Sequence, residues 1–533
     1  MPILPTMPCP RRPSVVALLV LTCLTLFLHP HTAGAETLPP AIPATVSELT
    51  DNAAHNTPSL AIVWTLLCGI LALLVPIGIT FGQMGLGRAR NATHTLTLSL
   101  LAATTALLAF WIGGFALLSG GFGNLPAAIG WHPPLGPGLD WLNKEYTGSL
   151  LGKAYHLCGY RGFLLIHVFD AAILSLFFFQ AAVLLTAVTI PAGALAERWN
   201  LRSAALYGAW IIIPYTLLGN WIWGGGWLAG LGVNFNLGHG TADFAGSSWI
   251  HLAGGLVGLI GAHLIGARLG RYGKDGRILP MPPHSLPSAF LGTYLVAVGT
   301  FGINAGATLA GADMRIAIVA TNTLLAGAAG VAAAALSGVL RHGRPDPALL
   351  CAGLLSGLAA SAAPCAFVNP PAAVLIGLIA GLLVTLAIPF VERRLRIDDP
   401  AGAISIHGLG GAWGLLAVGL FANGSYGQGW GGLHRLTKNG QLQTLINDGT
   451  PQTLQHHTLL LADGWQDQGI TGLCGKWFGA AYNDGGQLLA QLLALLATLL
   501  LIGSAAWIGL TLTHRIAPLR VEIEEEQKGL DNL

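Results

Sequence analysis

The sequence predicts an all-α membrane protein: eleven transmembrane helices containing an inverted five-helix repeat, with the N-terminus outside and the C-terminus inside. Three observations predict it. First, 53% of the 533 residues are hydrophobic and only 9% are charged, against about 25% charged in an ordinary soluble domain. Second, the apolar residues fall into eleven runs, most of them close to the roughly 20 residues that span a bilayer. Third, one chemically distinctive segment occurs twice, five runs apart.

In chain order, the first 35 residues read as a cleaved secretory signal, with Arg11 and Arg12, an apolar run from Val15 to Leu28, and Ala33-Gly34-Ala35 as the small-residue cleavage site. The spans follow at about Ser59 to Met84, His94 to Ser119, Leu164 to Leu195, Ser203 to Trp223 and Trp249 to Leu269. A second set runs Leu286 to Asn304, Met314 to Leu340, Asp346 to Phe367, Ala372 to Val391 and Ala403 to Phe421, and the final span is Gln487 to His514. The repeat therefore covers about 59–270 and 286–421, inside a transport domain of 36–514, and residues 515–533 form a tail.

Basic residues orient this arrangement. Sixteen Lys and Arg, among them Arg88, Arg198, Arg268, Arg341, Arg393 and Arg520, fall in segments assigned to the cytoplasm, against seven outside. Cytoplasmic loops carry such an excess. The net charge is only +2, and no basic stripe with interleaved aromatics suggests nucleic acid. Two long outside loops, about Gly120 to Phe163 and Ala422 to Gly486, are read either as a cap over the pore mouth or as tolerated insertions. Cys68, Cys351 and Cys365 lie in apolar segments as packing residues, and a disulfide between Cys158 and Cys474 stays open.

The repeated segment reads DFAGSSWIHLAGG from Asp243 to Gly255 and DPAGAISIHGLGG from Asp399 to Gly411, with seven identities in thirteen positions. The copies open the fifth and tenth spans, and an odd offset of five inverts them in the membrane, a design that places sites at the midplane between the halves. Each copy carries one histidine, His251 and His407, two turns into its predicted helix. A single histidine in a span is usually a packing residue. Two at equivalent repeat positions can meet on a pseudo-two-fold axis and line a path for a proton or a polar ligand. A buried pair of imidazoles holds at most one shared proton. Asp243 and Asp399 stand at the helix starts, where a carboxylate caps N–H groups. No metal site or cofactor is expected, because the two histidines lack a third ligand at metal spacing and no CxxC occurs. An enzyme is not expected either, since no nucleophile, base and orienting group cluster in the sequence.

These residues resemble the ammonium transporter family (Amt, related to Rh proteins) over nearly the whole mature chain. The motifs are ALAERW (Ala194 to Trp199), WIWGGGWLA (Trp221 to Ala229), DFAG with His251, PHSLP (Pro283 to Pro287), NAG (Asn304 to Gly306), IDDPAGAISIHGLGG (Ile397 to Gly411) and LRVEIEEEQKGLD (Leu519 to Asp531). The resemblance implies a homotrimer in the plasma (inner) membrane, with a narrow pore through each subunit. It also implies an outer aromatic cage with a serine, a gate of two phenylalanines and twin histidines in an apolar lumen. Trp223 matches the cage tryptophan, His251 and His407 match the twin histidines, and Asn304 is a supporting residue. Val183 and Ile303 stand at the phenylalanine positions and Ala307 at the serine, so the cation site should rest mainly on Trp223. Phe177, Phe178 and Phe179 lie one to two turns from Val183 and are expected to face lipid or a neighbouring subunit, the alternative being that a shifted helix register lets them substitute for the gate ring. The implied activity is recruitment of ammonium outside and passage of ammonia, with or without a relayed proton; the alternative is a transporter-like ammonium sensor with weak or no conduction. The tail resembles one that couples subunits and docks PII-type regulators.

Overall fold

The computed structural model describes residues 46–119, 142, 144–150, 152–446 and 451–532. The predicted signal segment, residues 1–35, lies outside the described residues, as do residues 120–141 of the Gly120 to Phe163 loop. Residues 46–54 are helical and belong to a separate N-terminal unit; residues 55–533 form the compact unit considered below.

Among the described residues ten helices are long and apolar enough to cross a membrane. They are α1 (Pro58–Leu86), α2 (Ala89–Ser119), α3 (Ala171–Leu195), α4 (Leu201–Ile222), α5 (Ser247–Ile265), α6 (Leu286–Gly306), α7 (Arg315–His342), α9 (Pro370–Arg393), α10 (Ile404–Phe421) and α12 (Gly485–Ile516). A shorter apolar helix, α8 (Pro347–Ser361), occupies the place of the eighth predicted span. That run was expected to continue to Phe367, but its last residues leave the helix and turn toward α5: the carbonyls of Ala362 and Ala363 accept N–H groups from Ala245 and Phe244. The third span likewise begins later than expected, at the Asp170 cap, after Leu164, Leu165 and His167 take left-handed backbone conformations.

The two sets of five helices pack by one plan. In the first set α2 lies on α4 and α3 on α5; in the second α7 lies on α9 and α8 on α10. The sets meet where equivalent helices cross, and small residues make the approach close. A Cβ on Gly78 of α1 would lie 2.5 Å from the Gly292 carbonyl oxygen of α6, and one on Gly292 would lie 2.4 Å from that of Gly78. Reciprocal contacts of this kind are what a pseudo-two-fold axis generates, and small residues at crossings are the usual means of tight packing between membrane helices.

The connecting loops are ordered where described. β1 (Glu145–Leu150) and β2 (Lys153–Gly159) form an antiparallel hairpin. Between α10 and α12 lies a three-stranded sheet in the order β4-β3-β5, made of β3 (Leu433–Lys438), β4 (Gln441–Ile446) and β5 (Gln466–Gln468), with α11 (Pro451–Ala462) connecting β4 to β5. The five cysteines in the compact unit, Cys158 and Cys474 included, are free, which closes the disulfide question. Cys68, Cys351 and Cys365 are buried as expected.

Candidate functional site

The two repeated segments build the same local structure. Asp243 Oδ1 accepts the N–H groups of Gly246 (3.0 Å) and Ser247 (2.7 Å), while Oδ2 accepts the Ser248 N–H (2.8 Å) and hydroxyl (2.5 Å). Asp399 accepts the N–H groups of Ala403 (2.9 Å) and Ile404 (2.8 Å). Each aspartate satisfies donors that a helix start leaves unpaired. The turn between cap and helix needs φ of +105° at Gly246 and +68° at Gly402, a region that favours glycine. Both helices then open with a wide π turn, Ser247–Leu252 and Ile404–Leu409, and each turn carries its histidine. The histidines thus sit about one turn into their helices, a turn earlier than the sequence suggested, because the helices begin after the capped loops.

Glycine again sets the approach. A Cβ on Gly255 would lie 2.3 Å from the Gly408 nitrogen, and one on Gly411 would lie 2.3 Å from the Ser247 carbonyl oxygen and 2.6 Å from the Leu252 nitrogen. With the backbones this near, His251 Nδ1 and His407 Nδ1 come to 3.1 Å, their rings almost parallel at 9° with centroids 5.2 Å apart. Both side chains are buried. A hydrogen bond between two Nδ1 atoms requires one to donate and the other to accept, so the two Nε2 atoms then differ, one bare and one protonated. The pair presents an acceptor and a donor at its ends, and exchanging the tautomers exchanges those roles.

A cavity of about 200 Å³ reaches His407 from one side. Its wall is largely apolar, with Ile79, Leu355, Ile388 and Ile406, and its polar members include Gln83, Thr293, Asp346, Glu392 and Asp399. Asp346 caps the start of α8 and Glu392 pairs with Arg271, so the cavity ends among charged residues at the arginine-rich end of the bundle.

The remaining predicted residues are buried with the apolar core. Trp223 is 2% exposed, donates its indole N–H to the Phe244 carbonyl at 3.0 Å, and stacks on Trp249 at 6.0 Å and 21°. Trp249 stacks in turn on Tyr215. Val183, Ile303 and Ala307 belong to the same hydrophobic cluster as Trp223. Asn304 donates to Thr323 Oγ1 at 2.9 Å, and its Oδ1 is buried without a hydrogen-bond partner. Of the three phenylalanines, Phe179 is buried, while Phe177 and Phe178 are half-buried. Phe177 stacks on Phe110 and meets Phe115 edge-on, Phe178 lies against Gly69, and Phe179 is buried against Gly306. Phe179 is one turn from Val183 on α3 and lies against Gly306, the residue before Ala307. The spacing of four from Val183 was the available signal.

At the arginine-rich end a buried ion network ties the helices together. Glu197, itself at a φ of +70°, accepts from Arg88, Asn91 and Arg268. Asp398 takes a bidentate pair of bonds from Arg268 at 2.8 and 2.9 Å, with Arg198 beside it. Burial alone would raise both carboxyls. The facing arginines outweigh it, so Glu197 lies below the usual carboxylate range and Asp398 is held at about 2. The tail joins the network: Glu526 accepts from Arg520 and from the Leu269 N–H, and Asp531 accepts the N–H groups of Thr93 and His94 near the start of α2.

Comparison with known proteins follows this geometry. The sequence profile of the Ammonium Transporter Family matches residues 63–533. The chain is 36% identical over 418 residues to the ammonium transporter Amt2 of Archaeoglobus fulgidus, covering 77% of this chain and 79% of that protein. It is 27% identical to the ammonium transporter of Bacillus subtilis over 88% of this chain and 95% of that one. Among solved structures it is similar to a sensor Amt protein, with a TM-score of 0.69, 26% identity, and coverage of 90% and 98%. Mep2 of Candida albicans shares the fold, with a TM-score of 0.64 at 20% identity over 88% and 87% of the two chains. The protein therefore belongs to the ammonium transporter family, as a multi-pass protein of the plasma membrane and not an enzyme.

Proposed function

We propose that the chain carries ammonium across the membrane by taking it apart. Ammonium is drawn to the outer mouth near Trp223, gives up its proton close to Val183 and Ile303, either to outer water or to the bare Nε2 of the His251/His407 pair, and passes that pair as ammonia. It is reprotonated in the cavity beyond His407. The observation that carries this reading is the 3.1 Å contact between two buried imidazoles from equivalent repeat positions. Their unequal Nε2 atoms can hydrogen-bond a neutral molecule that both donates and accepts, or pass a proton along the pair. An apolar surround makes an unpaired cation costly, and potassium, which has no proton to lose, is rejected by the same scheme. Trp223 contributes cation–π attraction worth roughly 0.5 to 2 kcal/mol, with Phe179 as the nearest further ring beside Ala307. Asp243, Asp399 and Asn304 support the helix starts and the core.

The same reading counts α8 as a span, which makes eleven, with the N-terminus outside and the C-terminus inside. The excess of basic residues at the end that holds the tail supports this orientation. A homotrimer and a PII-type regulator at the tail remain part of the proposal, on the strength of the family resemblance. The test is a current or uptake measurement on proteoliposomes given ammonium pulses. A transient that distinguishes ammonium from potassium is expected in the wild type. Full ammonium selectivity in the double variant His251→Ala, His407→Ala would overturn the mechanism.

A second reading is an ammonium sensor that binds without conducting. It is favoured by the replacement of the gate and cage residues with Val183, Ile303 and Ala307, and by the likeness to a protein described as a sensor Amt. Saturable ammonium binding with no flux would establish it in place of transport.

A further inference from the structure

The segment between α10 and α12 assembles three chemically active side chains from three elements. His434 on β3, His457 on α11 and Asp467 on β5 converge, with Asp467 Oδ2 2.5 Å from His434 Nδ1 and 3.0 Å from His457 Nε2. The imidazole centroids are 4.0 Å apart. Strand register accounts for the first contact. Asp467 faces Leu436, which lies two residues beyond His434, so His434 and Asp467 share one face of the sheet. The side chains of His434, His457 and Asp467 are 14%, 17% and 13% exposed.

A purely structural hydrogen-bond cluster accounts poorly for this arrangement. Two imidazoles crowd one carboxylate oxygen while the other, Asp467 Oδ1, is buried with no partner. The nearby cations are engaged elsewhere, Lys438 with Asp463 and Arg435 with Asp484, Asn236 and Gly238. What the cluster offers is two nitrogen ligands and a carboxylate, with one ligand atom from each residue, all within 4.8 Å of one another.

We propose that His434, His457 and Asp467 form a binding site for a divalent transition-metal ion of the zinc class, separate from the ammonium path. Two imidazoles and a carboxylate match the donor preference of such ions. Metal–ligand bonds of about 2.0 to 2.1 Å arranged tetrahedrally put ligand atoms about 3.3 Å apart, so only small side-chain movements separate the present geometry from a closed site. On binding, each imidazole gives up the near-nitrogen proton that it donates to Asp467 and stands as the tautomer protonated on the far nitrogen, Nε2 of His434 and Nδ1 of His457. The ion takes the two lone pairs and one carboxylate oxygen, and a water completes the fourth position. The ion then ties α11 to the hydrogen-bonded β3–β5 pair and stabilises the module by linkage.

The experiment is a Co²⁺ titration of the full chain in detergent, purified through a tag without histidine, followed by visible ligand-field absorption and Zn²⁺ competition. One equivalent per chain with a tetrahedral spectrum, displaced by Zn²⁺, is expected. Asp467→Asn and His457→Ala should each weaken binding about tenfold or more, whereas His456→Ala, at an exposed neighbouring position, should not. Absence of saturable binding in the wild type, or binding unchanged in both ligand variants, would overturn the proposal. The wild-type titration decides the matter alone if a variant fails to elute as the native protein does.

Discussion

At the scale of single residues, the contact between His251 and His407 depends as much on glycine as on histidine. Gly255 and Gly411 touch backbone atoms of the opposite helix, and backbone cannot rotate away from an added methyl as a flexible side chain can. Gly255→Ala is therefore expected to push α5 from α10, to lower stability by about 1 to 3 kcal/mol, and to reduce ammonium current by separating the two rings. Gly503→Ala on α12 is the matched control: a Cβ there meets only the side-chain ends of Leu256 and Ile260, at 3.7 and 3.9 Å, so its thermal stability should be unchanged or raised by about 0.5 to 1 kcal/mol. Thermal unfolding in detergent together with proteoliposome currents distinguishes the two, and equal loss in both variants would sink the argument. The paired histidines were legible in the sequence because the repeat placed them at one spacing from their aspartates. Phe179 was legible only as an alternative, since an FFF run near Val183 states which residues are aromatic without saying which one faces inward. His434, His457 and Asp467 were illegible for a stronger reason: strand register and a helix return join them, and no ligand spacing in the chain reflects that.

At the scale of elements, span positions could be read because apolar runs in lipid need no periodicity to be recognised, whereas their ends are set by polar partners distant in sequence. α8 stops at Ser361 because the following carbonyls are needed by the approach to α5. The loops after α3 and α9 are fixed by the ion network, which composition alone could not reveal. That network has a pH signature. The folded-state value of Asp398, about 2, lies below its ordinary 3.8, so the ionised form stabilises the fold. The contribution is complete above pH 4 and is lost as the pH falls through 2, amounting to about 2 kcal/mol. Asp398→Asn leaves the buried Arg268 and Arg198 without their full counter-charge and should cost about 3 to 5 kcal/mol at neutral pH. The same variant should flatten the fall of melting temperature between pH 4 and 2. A wild-type slope in that window, retained in the variant, would show that other carboxylates dominate.

At the scale of the whole molecule, the strongest expectation is sidedness, and the free thiols provide a direct way to read it. Cys68, Cys351 and Cys365 are buried, whereas Cys158 and Cys474 are partly exposed. Cys158 lies on β2, before α3, and Cys474 lies between α10 and α12, so both fall in loops assigned to the outside. The arginine network and the tail, assigned to the cytoplasm, contain no cysteine. A membrane-impermeant maleimide added to intact cells or right-side-out vesicles should therefore label the protein at Cys158 and Cys474. Burial raises the Cys158 thiol above its ordinary value, so at neutral pH little of it is thiolate and its labelling should quicken as the pH is raised. The double variant Cys158→Ser, Cys474→Ser should lose the label while keeping its ammonium response, because neither thiol touches the histidine pair or the cavity beside it. If labelling instead required opened or inverted vesicles, the bundle would be inserted the other way round. The tail would then lie outside, beyond the reach of any cytoplasmic regulator, and the cavity at His407 would become the entrance of the path and not its exit.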